Sequence, residues 1–146
     1  MLYSTELYHH GIKGMKWGVR RYQNPDGTLT EAGKKRLRVV KKASKYAKKQ
    51  AKKYEDNVKK DSEILERYRT GDPRRIVDYE YWRVGESRLP LPITANQKAL
   101  QYEDRIKINT ENAKDWLNKL DYYSNTPISE IKGLDYLRAK SYANRF

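Results

Sequence analysis

Apolar residues recur every three or four positions through a long polar stretch in the first half of the chain. This spacing predicts one helix from about residue 30 to about residue 70, because it places the apolar side chains on one face. The capping-box spacing Thr28-Leu29-Thr30-Glu31 opens the helix, and Gly71-Asp72-Pro73 ends it. The stripe consists of Leu37, Val40, Ala47, Ala51, Tyr54, Val58, Leu65 and Tyr68, with Ser44 and Asp61 interrupting it. The stripe is thin, so it allows a close partner but buries little apolar area.

The pattern of the last 53 residues predicts two more helices. A second capping box, Thr94-Ala95-Asn96-Gln97, opens a helix that runs to about Tyr123. Thr126-Pro127 is expected to cap the next helix, with proline at its first position. One face of the earlier helix carries Ala99, Tyr102, Ile106, Ala113, Trp116, Leu117 and Leu120, and the later helix is lined by Ile128, Ile131, Leu134 and Leu137. Residues 94–146 therefore predict a small helical hairpin.

Two segments lack helical periodicity. Residues 1–29 are expected to form an irregular arm, because four glycines and the turn sequence Asn24-Pro25-Asp26-Gly27 interrupt any helix. The arm is rich in bulky apolar residues, which favours docking on a surface over a free tail. Residues 71–93 are expected to be an extended connector: Asp78-Tyr79-Glu80-Tyr81-Trp82 admits a short helix or an edge strand, and Leu89-Pro90-Leu91-Pro92-Ile93 must be extended.

The predicted fold class is mainly α: an irregular N-terminal arm (1–29), one long lysine-rich helix (30–70), the extended connector (71–93) and a C-terminal helical hairpin (94–146). The 146 residues contain 37% hydrophobic and 35% charged positions, which predicts a small core and a large solvated surface. The sequence shows neither an apolar run long enough to cross a membrane nor a secretory leader, so we expect no membrane partner.

Positive charge is concentrated in the first 60 residues. They hold 17 Lys and Arg against five Asp and Glu, whereas residues 61–146 hold 15 against 14. A concentrated excess of this kind is typical of a surface that binds a polyanion.

The predicted long helix carries most of that excess, with lysine on most of its faces. Lysine outnumbers arginine eleven to two over residues 34–60, and only Glu55 and Asp56 oppose them. Lysine is a point charge that suits phosphate contact rather than base reading, so we expect sequence-independent binding of double-stranded DNA. The predicted DNA-binding residues are Lys34, Lys35, Arg36, Arg38, Lys41, Lys42, Lys45, Lys48, Lys49, Lys52, Lys53, Lys59 and Lys60. A solvated helix, an anionic membrane surface and an acidic protein partner are the competing interpretations.

Little in the sequence indicates catalysis. His9-His10 is the single histidine pair, and adjacent histidines rarely share a metal. There is no cysteine, no nucleophile elbow and no phosphate-binding glycine loop. We therefore expect no metal, no cofactor, no small-molecule substrate and no enzymatic activity.

The segment YHHGIKGMKWGVRRYQNPDGTLT (residues 8–30), followed by Gly33-Lys34-Lys35-Arg36, resembles a motif of virion proteins of tailed phages and prophages of Gram-positive bacteria. There the motif lies at the edge of head-region proteins. The resemblance spans 29 of 146 residues. It implies a small structural protein that attaches to the capsid shell and touches the packaged genome.

Resemblance and charge together predict a protein of the capsid interior, present in the host cytoplasm during assembly. Its expected partners are the major capsid protein and genomic DNA. Large rings dominate interface energetics, so the capsid anchor is expected within the arm, although Trp17 packing on the chain's own helices is an equal alternative. The predicted capsid-binding residues are Met15, Trp17, Arg20, Arg21 and Tyr22. A different class of function is also open, namely a phage-encoded interaction protein or inhibitor that acts on a host nucleic-acid-handling protein.

Overall fold

The computed structural model describes residues 22–131 and 133–145. They form helix α1 (Glu31–Arg69), strands β1 (Ile76–Val84) and β2 (Ser87–Thr94), and helices α2 (Ala95–Asn125) and α3 (Gly133–Asn144). The mainly α class is confirmed, with a long helix and then a pair of helices. The described chain divides into two compact units: the first comprises residues 22–46 and 120–145, and the second comprises residues 47–119.

The start of α1 follows the sequence prediction closely, but a different threonine caps it. The Gly33 N–H donates to Thr30 Oγ1 at 3.1 Å, so Thr30 is the N-cap. The capping box at Thr28 was wrong. Thr28 instead donates to Asp26 Oδ1 from its N–H at 2.9 Å and from its hydroxyl at 2.7 Å, because the preceding turn places that carboxylate beside it.

The turn ahead of α1 confirms the Asn24–Gly27 signal. The Gly27 N–H donates to the Asn24 carbonyl at 3.0 Å, and Gly27 has a φ of +82°, a backbone conformation that glycine adopts without strain. The Asn24 N–H donates to the Thr28 carbonyl at 2.7 Å. The described end of the arm is therefore an ordered turn folded against the first turn of α1.

The first unit has a small core rich in tyrosine. Its buried members are Val40, Ala43, Tyr123, Ile131 and Ala139, with Val39, Tyr122, Tyr136 and Tyr142 packed around them. The Tyr46 and Tyr142 rings stack at 5.7 Å between centroids, and Tyr123 meets Tyr142 edge-on at 6.3 Å. These rings supply the buried apolar area that a unit this small needs for its stability.

The third helix begins at Gly133, later than the predicted start at Thr126-Pro127. The intervening segment forms a turn in which the Glu130 N–H donates to the Pro127 carbonyl at 2.9 Å. The predicted apolar face was also wrong in part, since Leu134 and Leu137 are exposed while Ala139 is buried. The physical reason for the later start is that Arg36 of α1 donates to the carbonyls of Ile128 and Ile131 in this turn. These carbonyls therefore have hydrogen-bond partners without forming a helix.

In the second unit α1 and α2 run antiparallel. Asp61 of α1 pairs with Arg105 at 2.9 Å, and about two turns further along α1 Tyr68 stacks on Tyr102 at 5.7 Å between centroids. Asp61, which interrupts the apolar stripe, is buried and also accepts from Asn109 Nδ2 at 3.2 Å. The buried residues on the two helices here are small apart from Leu65: Ala47, Ala51, Ala95, Ala99 and Ala113.

The predicted connector is a β-hairpin. β1 and β2 pair antiparallel, with Tyr81 opposite Pro90 and Trp82 opposite Leu89, and Gly85 turns the chain with a φ of +63°. The edge-strand alternative for residues 78–82 is thus the observed one. The capping box that follows is confirmed: the Gln97 N–H donates to Thr94 Oγ1 at 3.3 Å, and the Thr94 N–H donates to Gln97 Oε1 at 2.8 Å.

Candidate nucleic-acid interface

The basic residues of α1 lie opposite its buried face in the first unit. Successive residues of an α-helix turn by about 100°, so buried Val40 and Ala43 mark the inward side. The exposed cations of this segment are Lys34, Lys35, Arg38, Lys41, Lys42 and Lys45. All of them fall on the outward side of the helix.

The same relationship holds for the part of α1 that belongs to the second unit. Ala47, Ala51 and Leu65 are buried there. The exposed cations are Lys48, Lys49, Lys52, Lys53, Lys59 and Lys60. In each unit the cations occupy an arc of roughly 140° about the helix axis. The expectation of lysine on most faces was therefore too broad, because the buried face excludes it.

Acidic residues hardly interrupt the arc of either unit. We call the twelve exposed cations of α1 between residues 34 and 60 the lysine face. By the same helical geometry, Asp56 lies within the arc, and Glu63 and Glu66 follow it after the last lysine. Beyond residue 60 the exposed charges of α1 are balanced, with Arg67 and Arg69 beside Glu63 and Glu66.

The lysine face has little internal counter-charge. Among the described residues, Lys34 is its one member with an ion pair, to Glu31 at 2.9 Å. The hydrogen bond from Lys34 holds the pKa of the Glu31 carboxyl below its ordinary value. Lysines four positions apart, such as Lys41 and Lys45, repel each other by a few tenths of a kcal/mol. An external anion would relieve that repulsion.

The geometry suits the backbone of a nucleic acid. The segment Lys34–Lys45 extends about 17 Å along the helix axis, a length of duplex that carries about ten phosphate charges. Each ammonium stands on a flexible stem and offers three donors without a fixed direction. Such a surface can bind phosphates in many registers and discriminates little between bases.

Arg36 differs from the other predicted DNA-binding residues because it is buried. Its Nη2 donates to the Ile131 carbonyl at 2.5 Å and its Nε to the Ile128 carbonyl at 3.3 Å. Its guanidinium lies 4.0 Å from the centre of the Tyr136 ring and 4.8 Å from that of Tyr22. Arg36 therefore holds the first unit together and is not placed to meet phosphate.

The predicted capsid-binding residues fall almost entirely outside the described part of the chain, as does the pair His9-His10. Tyr22 is the exception. It is half-buried, and its hydroxyl accepts from Arg36 Nη1 at 3.3 Å. Tyr22 is thus engaged with the chain's own first unit.

The hairpin carries an exposed apolar surface that was not predicted from the sequence. Tyr81 is 66% exposed and Trp82 62% exposed, and both strands contribute further large apolar side chains to the solvent. The others are Ile76, Tyr79, Val84, Leu89 and Leu91. The signal was present in two aromatic- and leucine-rich runs separated by Gly85-Glu86, which is a short-turn pattern.

Two negative findings concern residues 22–131 and 133–145. No helix there is both long and apolar enough to pass through a bilayer. In the same ranges, no three or more His, Asp or Glu side chains come together as a metal site would require.

Comparison with known proteins adds one short match. A family of unknown function, DUF7211, matches the chain over residues 3–24, which overlaps the motif at residues 8–30. No curated protein matches the chain, and no solved structure does.

Proposed function

We propose that this protein is a capsid-associated structural protein of a tailed phage that contacts packaged double-stranded DNA without sequence preference. The lysine face of α1 makes the DNA contact. The arm attaches the protein to the inner surface of the major capsid protein.

The observation that carries the DNA part is the unpaired state of the lysine face. Eleven of its twelve cations have no ion pair among the described residues. A solvated helix selected for stability would interleave Glu with Lys four positions away, and α1 does so only sparsely before residue 60. A membrane surface is disfavoured because the side of α1 that carries the cations has no bulky apolar residues to insert.

The capsid part rests on the resemblance of residues 8–30 to phage head-region proteins. Packaged DNA and shell surfaces are commonly anionic, so a basic adaptor lowers the repulsion between them.

Salt-dependent DNA titration tests the first part. The full chain is titrated with two duplexes of unrelated sequence at several salt concentrations. We expect equal affinity for both, and a log–log slope of about −0.9 for each phosphate neutralised. Replacing Lys45, Lys49 and Lys52 together by glutamine should reduce the slope by about 2.7 if all three contact phosphate.

A matched control separates the lysine face from net charge. Lys107, Lys114 and Lys140 are also exposed helical lysines without an ion pair among the described residues. Their triple glutamine variant has the same charge and a similar helix propensity. It should keep the parental slope. Equal loss in both variants would assign binding to net charge, and no binding at low salt would reject DNA as the partner.

Protein composition of purified particles tests the second part. A structural protein is present in many copies per particle, whereas an inhibitor of a host enzyme is absent. Trp17→Ala should lower the copy number if Trp17 anchors the arm, provided that the variant keeps the parental free energy of unfolding. An unchanged copy number in a folded variant would remove Trp17 from the anchor.

A further inference from the structure

The hairpin formed by β1 and β2 has two chemically distinct faces. Residues directly opposite each other in an antiparallel pair share a face. One face therefore carries the pairs Tyr79–Pro92, Tyr81–Pro90 and Arg83–Arg88. The other carries Asp78–Ile93, Glu80–Leu91 and Trp82–Leu89. Both faces combine large apolar groups with charge, arginine on one and carboxylates on the other.

A two-stranded sheet with large apolar side chains exposed on both faces is expected to have little stability of its own in water. Two strands by themselves are marginally stable. Here Tyr81 and Trp82 are each more than 60% exposed, and the large side chains around them are exposed too. Pairing of the hairpin edge with another strand would complete its main-chain hydrogen bonds and bring these side chains into contact with those of the added strand.

The outer edge of β2 cannot accept a strand along its length. The Thr94 N–H points away from β1, since it donates to Gln97 Oε1 at 2.8 Å. Direction alternates along a strand, so Pro92 and Pro90 occupy outward positions as well, and proline has no N–H to offer. Two of the outward donors of β2 are therefore missing.

The outer edge of β1 is open. Opposite pairs in an antiparallel sheet alternate between hydrogen-bonded and non-hydrogen-bonded pairs. Tyr81–Pro90 is a non-hydrogen-bonded pair, because proline has no N–H to donate, and Arg83–Arg88, two positions on, is another. In these pairs the N–H and carbonyl groups of β1 therefore point outward, away from β2. Tyr81 and Arg83 are exposed, and their N–H groups have no partner outside the strand pair among the described residues. The Tyr79 N–H donates to Asp78 Oδ1 at 2.8 Å. The Tyr79 carbonyl is not used in this bond and can accept one from another strand. From Asp78 to Val84 this edge has neither lysine nor proline, two residues that block strand addition, and the irregularity of β1 between Ile76 and Asp78 lies before this segment.

We propose that β1 pairs with β1 of a second copy of this chain, antiparallel about a two-fold axis at Tyr81, to give a four-stranded sheet. Four main-chain hydrogen bonds form. Two join the Tyr81 residues of the copies, and one runs from each Arg83 N–H to the Tyr79 carbonyl of the other copy.

The charges favour this register over its neighbours. With Tyr81 at the axis, each Arg83 lies opposite Tyr79 of the other copy, where a cation can meet an aromatic ring. Each Glu80 lies opposite Trp82. A shift that places Glu80 at the axis opposes two carboxylates directly, which is destabilising. A shift that places Trp82 at the axis shortens the paired segment from residues 78–84 to residues 80–84.

The pairing goes beyond the proposed DNA contact and is independent of it. We propose a second copy of this chain as the partner because the open edge is complementary to itself under two-fold symmetry. The experiment therefore contains no DNA, and its failure would leave the proposed function untouched.

Sedimentation of the full chain over a range of concentrations tests the pairing, with proline variants of the two edges. We expect a monomer–dimer equilibrium. Tyr81→Pro should abolish the dimer, because it removes the outward N–H at the position across from natural Pro90. Tyr81→Thr, which keeps the N–H, should retain it. Arg88→Pro changes the opposite edge and should also retain it. A chain that stays monomeric, or a dimer lost in Arg88→Pro and kept in Tyr81→Pro, would overturn the proposal.

Cysteine cross-linking does not depend on a folded proline variant. The chain has no cysteine, so Tyr81→Cys introduces the only thiol. Paired Tyr81 positions bring two Cα atoms to about 5.5 Å, a separation that a disulfide spans. We expect a covalent dimer from Tyr81→Cys and none from Leu89→Cys, which is also exposed but lies on β2. Equal cross-linking of both, or of neither, would reject the register.

Discussion

Arg36 in α1 donates a hydrogen bond to the main-chain oxygen of Ile131, 95 positions further along the chain. Arg36 is 8% exposed, and its guanidinium lies over the rings of Tyr22 and Tyr136. It supplies donors to the carbonyls of the turn that precedes α3. One basic residue of α1 is thus structural, while its neighbours on the outward side face solvent.

Arg36→Ala should lower the free energy of unfolding by about 3 kcal/mol. Hydrogen bonds from a charged donor contribute about 1.5–3 kcal/mol each, and the abandoned carbonyl of Ile131 is buried. Urea unfolding of the full chain measures the loss. Arg38→Ala, an exposed position on the same helix, should change stability by no more than about 0.5 kcal/mol.

The two arginines should behave in the opposite way toward DNA. Under conditions where both variants are folded, the salt slope should fall for Arg38→Ala and stay unchanged for Arg36→Ala. A stable Arg36→Ala protein with a reduced slope would place Arg36 in the interface after all.

Gly33→Ala should destabilise the first unit even though alanine is the better helix former. A Cβ at residue 33 would lie 2.3 Å from the Tyr22 carbonyl oxygen, a main-chain atom that cannot step aside without moving the turn. The usual gain of about 1 kcal/mol from replacing a helical glycine is therefore expected to reverse in a urea unfolding measurement.

Gly133→Ala is the control for that substitution. Gly133 also lies in the first turn of a helix, and nothing lies within 4 Å of the position of its missing Cβ. This variant should be neutral or more stable. Equal effects at both glycines would show that the close approach to Tyr22 is unimportant.

Stability should decline in alkali because of Tyr123. Burial raises the pKa of its phenol from 10.0 to about 12. Between those values the unfolded state releases the proton and the folded state keeps it, so unfolding becomes more favourable as the pH rises. In urea unfolding measured from pH 9 to pH 12, the free energy of unfolding of Tyr123→Phe should decline less steeply with pH. The variant should also be less stable by a constant amount below pH 10, because it lacks the hydrogen bond from the phenol to the Asp135 carbonyl. An equally steep decline in the variant would assign the effect to other groups.

Local patterns predicted the elements that local forces decide. The reciprocal bonds of Thr94 and Gln97 and the stop at Gly71 appear where their spacing indicates them, since a cap involves residues only three or four apart. The predicted start of α3 was wrong, because the alternative partner for the turn's carbonyls, Arg36, is nearly one hundred residues away in the sequence. Arg36 was counted among the predicted DNA-binding residues for the same reason, because its hydrogen-bond partners Ile128 and Ile131 are distant in the sequence.

The hairpin shows the same division. Pro90 and Pro92 made residues 89–93 extended whatever their surroundings, because proline fixes its own φ and restricts the preceding residue. Which strand they would pair with was a question of register, and register is a relation between two segments.

The sequence by itself determined the charge of α1, the helical positions of its lysines and the caps at Gly71 and Thr94, because helical periodicity and capping act over a few residues. Tertiary structure decided which cations remain outside. It buried Arg36 against Tyr136 and Ile131 and left Tyr81 at an open edge, because burial and strand pairing depend on contacts between residues distant in sequence.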